Sequence, residues 1–361
     1  MTGDATLESL GYSPRWQALF EPHAAAGLVP GRVIRSDRGS ALIATAGGIV
    51  RAKPSVRLMK VAAGPADLPA VGDWVAACVA GDLEVGLMEA VLPRASAMTR
   101  GAAGQRSELQ VLAANIDTVF VVHPIADPPN LRRIERELSL AWESGAVPVV
   151  VLTKADLSPD AETARAAVEA VAVGVAVLAV NALAVGGAEP LLAHVAGRRT
   201  AVLIGPSGAG KSTLINTLLG ERRQATREVR VSDGRGRHTT VAREVIGIPG
   251  GGILIDTPGL RELGVTGSEE GIASVFPEIE LLARSCRFRD CTHDDEPGCA
   301  VIAAVAAGAL PAVRVASYRK LMREAEVAAA RTDARLRGEE KRKGKILGRA
   351  IKNFFKRTDK V

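Results

Sequence analysis

Along the first part of the chain, short apolar runs alternate with turn residues. "GRVIRS", "SALIAT", "GIVRAK", "GDWVAACV" and "LEVGLMEAVL" follow one another between Leu28 and Pro93, separated by Gly and Asp. Runs of this length, rich in Val, Ile and Ala and bounded by turn formers, predict strands; their close spacing predicts a small OB-like β-barrel over residues 28–95. Residues 1–27 are expected to form a loosely attached arm, and Arg94 to Arg106, polar and Gly-rich, a linker.

The period of the pattern then changes. "IDTVFVV", "VPVVVLTKAD" and "VAVLAVNA" are continuous apolar runs of buried strands, while "LRRIERELSLAWESG" and "AETARAAVEAVA" have helical spacing. Strand alternating with helix predicts an α/β domain with a parallel sheet covered on both faces, over residues 105–265. "AVLI" before Gly205 and "GGILI" before Asp256 supply further strands. Val171 to Ala188 is long and apolar, but it is mostly Ala, Val and Gly and Asn181 interrupts it, so a helix-to-strand passage is expected rather than a membrane span. Residues 266–330 read as a mostly helical domain, including a long Ala- and Arg-rich helix from Ala312 to Arg337, and 331–361 as a tail whose "ILGRAIKNFF" repeats apolar residues at helical spacing.

Composition sharpens this picture in two places. Of the net charge of +6, residues 331–361 carry twelve Lys/Arg against four Asp/Glu, a net of +8 that leaves the first 330 residues near −2. The basic character belongs to the tail, which fits an acidic partner, rRNA or a membrane surface, or a merely solvated helix. The four cysteines are Cys78, expected in a buried strand, and Cys286, Cys291 and Cys299, which fall within 14 residues with His293 among them. That spacing belongs to a metal site, not a disulfide framework. The N-terminus has no signal-peptide pattern, and a soluble cytoplasmic protein is expected.

The nucleotide chemistry concentrates in five motifs. Gly205, Pro206, Ser207, Gly208, Ala209, Gly210, Lys211, Ser212 and Thr213 form a phosphate loop between an apolar run and a helical one. Its glycines let backbone N–H groups wrap phosphates, Lys211 reaches the β- and γ-phosphates, and Ser212 would coordinate Mg²⁺. Asp256, 45 residues after Lys211, opens the DxxG that ends at Gly259; the Asp would hold Mg²⁺ and the Gly259 N–H would sense the γ-phosphate. Thr153, Lys154, Ala155 and Asp156 read as well as a surface turn when taken alone, but they also match a guanine reader. The Asp156 carboxylate can accept from guanine N1 and the exocyclic amine, donors that adenine lacks. Asn181 and Ala182 resemble a short base-contacting element. Between the phosphate loop and Asp256, His238, Thr239 and Thr240 lie where a mobile switch would sit; a threonine there would close over Mg²⁺.

The motifs run base reader, base contact, phosphate loop, switch, DxxG, whereas ordinary GTPases run phosphate loop, switch, DxxG, base reader. The order indicates a circular permutation that leaves the sheet intact. With "VGDWV", "AANIDTVFVV", "LTKADL", "GPSGAGKSTLIN", "GRHTT", "DTPG" and "CRFRDCTHDDEPGCAV", the chain resembles, over nearly its whole length, the circularly permuted RsgA family of GTPases that mature the small ribosomal subunit. The resemblance implies an N-terminal OB domain, a central permuted GTPase, a C-terminal zinc domain, and small-subunit binding with GTP hydrolysis triggering release.

Cys286, Cys291, His293 and Cys299 offer three thiolates and an imidazole, the donor set of a closed, structural Zn²⁺ site; soft thiolates also suit an Fe–S cluster, but the His and tight spacing favour zinc. Leu260 directly follows the DxxG where many GTPases carry Gln, so intrinsic hydrolysis should be slow. His238 is a candidate for positioning the water, or it packs or contacts RNA instead. The permutation also sets switch and DxxG next to the zinc domain in sequence, where nucleotide state could bias that domain. The expected partners are GTP/GDP and the small subunit with its 16S rRNA, met through arginines such as Arg94, Arg100 and Arg106 unless these are simply solvated; Trp74 could be core. A monomer is expected, without membrane attachment. The alternatives are a zinc-containing GTP-dependent switch that binds a protein, and an ATP-using phosphotransferase, which Asp156 disfavours.

Overall fold

The computed structural model describes residues 7–37, 39–79, 85–101, 109–125, 128–220, 243–256 and 268–327. The five apolar runs form β1 (Val29–Asp37), β2 (Ser40–Thr45), β3 (Gly48–Pro54), β4 (Trp74–Cys78) and β5 (Gly86–Val91). β1 pairs with both β2 and β4, and the order β1-β2-β3-β5-β4 closes on itself as a barrel. Val33, Ile43, Ala52, Val75, Ala77 and Met88 fill its interior. Small apolar side chains suit so narrow a barrel, and bulges at Val33/Arg35 and Ala76/Ala77 give the strands their curvature. Cys78 ends β4 half-buried rather than buried.

The N-terminal segment is more tightly seated than an arm. α1 (Pro14–Ala24) begins with Pro in its first turn and buries Trp16 and Phe20 at i and i+4. Trp16 and Tyr12 approach Trp74 at ring-centroid distances of 5.9 and 5.1 Å, so Trp74 is core. The expected linker also differs: β6 (Ala97–Gly101) and β7 (Leu109–Ala114) form an antiparallel ribbon. The "VGDWV" turn docks on it. Gly72 has φ +92°, and a Cβ there would lie 2.1 Å from the Ala114 carbonyl oxygen, so only glycine fits. Asp73, fully buried, takes two bonds from Arg94, at 2.8 and 2.7 Å. Arg94 also donates to the carbonyls of Ala66 and Leu68. Its guanidinium is spent on the barrel, which removes it as an rRNA contact.

The second domain is a sheet of β8 (Thr118–Pro124), β9 (Val147–Thr153), β10 (Ala176–Val180), β11 (Thr200–Ile204), β12 (Arg243–Ile248) and β13 (Gly252–Asp256). Its order is β10-β9-β8-β11-β13-β12, with β12 antiparallel and the rest parallel. Alternate β8 residues face opposite layers. Val119 and Val121 pack towards α3 (Leu131–Glu143) and α4 (Ala161–Glu169); Phe120 and Val122 pack towards α5 (Glu189–Val195) and α6 (Lys211–Leu219). Each such fully buried side chain contributes roughly 1.5–3 kcal/mol. The apolar stretch from Val171 resolves into the turn after α4, β10 and the loop beyond, and no helix among the described residues is long and apolar enough to cross a membrane.

β12, whose "REVIGI" opens with two charged residues and continues apolar, also pairs with the barrel: Arg35 lies opposite Glu244 and Ser36 opposite Arg243. Barrel and nucleotide domain thus share one continuous sheet. At the C-terminal side, α7 (Glu269–Val275) and a helix over 312–327 pack against α3, while α8 (Pro277–Ala283) packs on α7 and α9 (Ala300–Ala306) on α8. Gly271 lets α7 approach closely, since a Cβ there would lie 2.5 Å from the Ser139 carbonyl oxygen. Buried Arg314 pairs with Glu135 of α3 at 2.7 Å and Glu278 at 2.8 Å, and stacks over Phe276. The helical domain is therefore fastened to α3, whatever its sequence proximity to the DxxG.

Arg94→Ala leaves the Asp73 carboxylate buried without its partner. A loss of about 3–5 kcal/mol is expected, read as a lower urea midpoint; an unchanged midpoint would show that the pair does not hold the barrel turn.

Candidate nucleotide and metal sites

Because β8, β9, β10, β11 and β13 run parallel, the loops after them emerge at one edge of the sheet, where ligands bind in open α/β folds. Gly205 through Gly210 follow β11 and lead into α6, as the motif requires. Gly205 has φ +133°, and a Cβ there would lie 2.0 Å from the Val122 carbonyl oxygen, so the loop can cross the end of β8 only as glycine. Ser207 and Gly208 are exposed, Pro206, Gly210, Ser212 and Thr213 half-buried, and Ala209 buried. Lys211 is buried, its Nζ donating to the carbonyls of Gly205 and Pro206 at 2.6 Å each.

The base-reading candidates come to the same place. Thr153 ends β9, and its hydroxyl donates to the Ala209 carbonyl at 2.7 Å, a contact across 56 residues of chain. Here the threonine found in place of the usual asparagine holds two loops together. Lys154 follows with φ +60°, which turns Ala155 and Asp156 outward in a short 3₁₀ turn with Asp156 exposed. Asn181, half-buried, caps its own turn by accepting from the Leu183 N–H, and the Ala182 carbonyl accepts from Thr217 of α6 at 2.8 Å. Both candidate base loops are thus bonded to the phosphate loop or its helix. Asp256 ends β13 half-buried, on the same edge. His238, Thr239, Thr240, Gly259 and Leu260 lie outside the described residues, as do Arg106 and the tail from Arg331.

Two residues unmarked in the sequence support this edge. His123, buried at the end of β8, pairs with Glu137 of α3 at 2.7 Å, and its carbonyl receives a second, longer contact from Thr153. Their signal is burial, which a sequence does not display.

This geometry can be compared with known proteins. Residues 91–266 match the RsgA GTPase family. A Streptomyces coelicolor protein described as a small ribosomal subunit biogenesis GTPase RsgA is 48% identical over 347 residues, covering 95% of this chain and 93% of that one. The chain belongs to the RsgA GTPase family. Another relative of the same description, from Opitutus terrae, is 46% identical over 91% of this chain and 92% of its own. Among solved structures, YjeQ from Thermotoga maritima has a TM-score of 0.63 at 25% identity, covering 82% of this chain and 98% of that one. YloQ, described as a circularly permuted GTPase, shares the fold with a TM-score of 0.62 at 23% identity over 83% of this chain and 96% of its own. For this RsgA-family chain the permuted order of motifs is accordingly a property of the fold.

The other cluster lies in the helical domain. Ligand atoms of Cys286, Cys291, His293 and Cys299 all fall within 4.8 Å of one another. Tetrahedral Zn²⁺ with ordinary bond lengths separates two sulfurs by roughly 3.8 Å and a sulfur from a nitrogen by roughly 3.5 Å. Cys286 and Cys299 Sγ are 3.9 Å apart, and His293 Nδ1 lies 3.7 and 3.5 Å from them. The residues fit one zinc. Burial holds the His293 pKa down, which favours the neutral ligand form. Burial and crowding beside the other sulfurs push the Cys291 thiol up to about 12, a cost that a divalent cation removes. The loop is tied by Glu296, which the sequence did not single out: Thr292 bonds it through N–H and hydroxyl, and Asp294 through N–H, holding its carboxyl down to about 2.

Thr153→Val removes one buried hydroxyl contact worth about 1 kcal/mol; GTP affinity should fall about fivefold in equilibrium binding, with little loss of thermal stability. For the cluster, metal analysis of the purified protein should find close to one zinc per chain. Cys299→Ser should lose most of it while GTP binding persists; a full zinc complement in that variant would remove Cys299 from the ligand set.

Proposed function

We propose that this protein hydrolyses GTP while bound to the small ribosomal subunit, assists that subunit's late maturation, and leaves when GTP has become GDP. The observation that carries the reading is the Thr153–Ala209 bond, which joins a guanine-reading loop to a phosphate loop in permuted order. The relatives' description as small ribosomal subunit biogenesis GTPases supports the partner.

In this reading Asp156 accepts from guanine N1 and the exocyclic amine, and the Lys154 stem covers the base. Asn181 and Ala182 flank it. Backbone N–H groups from Gly205 to Thr213 wrap the phosphates, and the Lys211 ammonium, now held by two loop carbonyls, turns to the β- and γ-oxygens. Ser212 and Asp256, with Thr239 or Thr240 from the switch, provide oxygen donors for Mg²⁺. That ion, when bound with GTP, neutralises charge developing on the phosphates. Gly259 senses the γ-phosphate, and His238 positions the water on the bound subunit. Cys286, Cys291, His293 and Cys299 hold a structural zinc with no open position and no part in the chemistry. Binding to 16S rRNA runs mainly through arginine and lysine to phosphates, with the chain acting as a monomer in the cytoplasm.

Purified small subunits should raise GTP turnover by at least tenfold, while large subunits should not. Equal turnover with either would favour a GTP-dependent switch for a protein partner.

A further inference from the structure

At the opposite end of β11 from the phosphate loop lies a pocket of about 390 Å³. It is bounded by the turn into α1, by Arg32 and Trp74 of the barrel, and by the chain entering β11. Arg32 is only 2% exposed, yet the groups it bonds are uncharged. Nη1 donates to the Leu10 carbonyl and Nη2 to the Thr200 hydroxyl, its guanidinium lies over Trp74, and Nε has no partner. Asp117 and Asp73 act on it only from longer range, and burial lowers its pKa to about 10. A buried guanidinium without a bonded anion costs several kcal/mol, so its place on a cavity wall calls for an explanation.

The other charged side chains of the lining are three arginines and one aspartate. Arg15, Arg198 and Arg199 stand exposed around it. Asp117 is the acid among the lining residues, and its carboxylate accepts from the Thr200 N–H; Arg198 is shared with exposed Glu8 at 3.5 Å. Ser13, the N-cap of the 11-residue α1, makes no capping bond, so the positive end of that helix adds to the field.

We propose that this pocket is an anion site that seats a phosphate group of an RNA strand, a proposal that rests on the small-subunit reading above. Several arginine forks around one opening suit phosphate oxygens better than a single carboxylate. Trp16 and Trp74 are 7% and 1% exposed, so neither presents a ring for a base to stack on, and the site takes the backbone without reading sequence. The rim arginines are exposed, as contact with a long polyanion requires.

The test uses full-length protein and a short single-stranded RNA, with affinity followed from about 50 to 200 mM salt. The double variant Arg198→Ala/Arg199→Ala should bind about tenfold more weakly, with a salt slope shallower by roughly 1 to 2. Its GTP affinity and thermal midpoint should be unchanged, since both side chains are exposed and far from the nucleotide edge. An unchanged slope, or no binding of the RNA by the parent protein, overturns the site. Inorganic phosphate or guanosine monophosphate displacing the RNA at micromolar concentration would assign the pocket to a free anion and overturn the RNA assignment. Failure of the parent protein to bind purified small subunits is a separate result, which sinks the functional reading itself.

Discussion

The nucleotide edge depends on one constraint: the phosphate loop must cross the end of β8 almost in contact with its backbone. Gly205 makes the crossing possible, because any side chain there would overlap the Val122 carbonyl. Once the loop is that close, the Thr153 hydroxyl at the end of β9 reaches the Ala209 carbonyl and joins base loop to phosphate loop. The sheet order does the rest. With β8 between β9 and β11, loops distant in sequence become neighbours, and permuting the chain changes their connection without moving them.

The flanking domains attach differently. The barrel is joined by backbone pairing to β12, the strand that follows the switch segment, and by Arg32 reaching Thr200 at the start of β11. The zinc-fitting domain is joined by side chains, through Arg314 and the close approach of α7 to α3. One appendage therefore meets the β11–β13–β12 side of the nucleotide domain, and the other the side covered by α3. Buried contacts hold the helical domain against α3.

Much of this was legible in the sequence where local chemistry demands fixed spacing. The phosphate loop and the Cys/His cluster stand out because phosphates and thiolate-binding metals tolerate few arrangements, whereas the turn at Thr153–Asp156 gains meaning only beside the phosphate loop. The barrel strands were legible because turn residues bound each apolar run. β12 was not: "REVIGI" follows a polar, Gly- and Arg-rich stretch and is itself half polar. β6 falls inside the segment 94–106 expected as a linker, because the ribbon it forms with β7 draws its order from Val71 and Ser144 across the fold. Long-range burial misled in the remaining cases. Trp16 seats α1 only because Trp74 waits on β4, and Arg94 is a structural residue only because Asp73 is buried beneath it. Neither partner is visible from the local pattern.

The permuted strand order also bears on how the protein is made. Residues emerge from the ribosome N-terminus first, so the turn after β9 is exposed well before the loop after β11. β11 must slot beside a β8 already synthesised, and its other neighbour, β13, arrives only at Asp256. A chain still short of Asp256 therefore lacks one of the two strands that flank β11, and this edge of the sheet is completed only when synthesis is well past the midpoint.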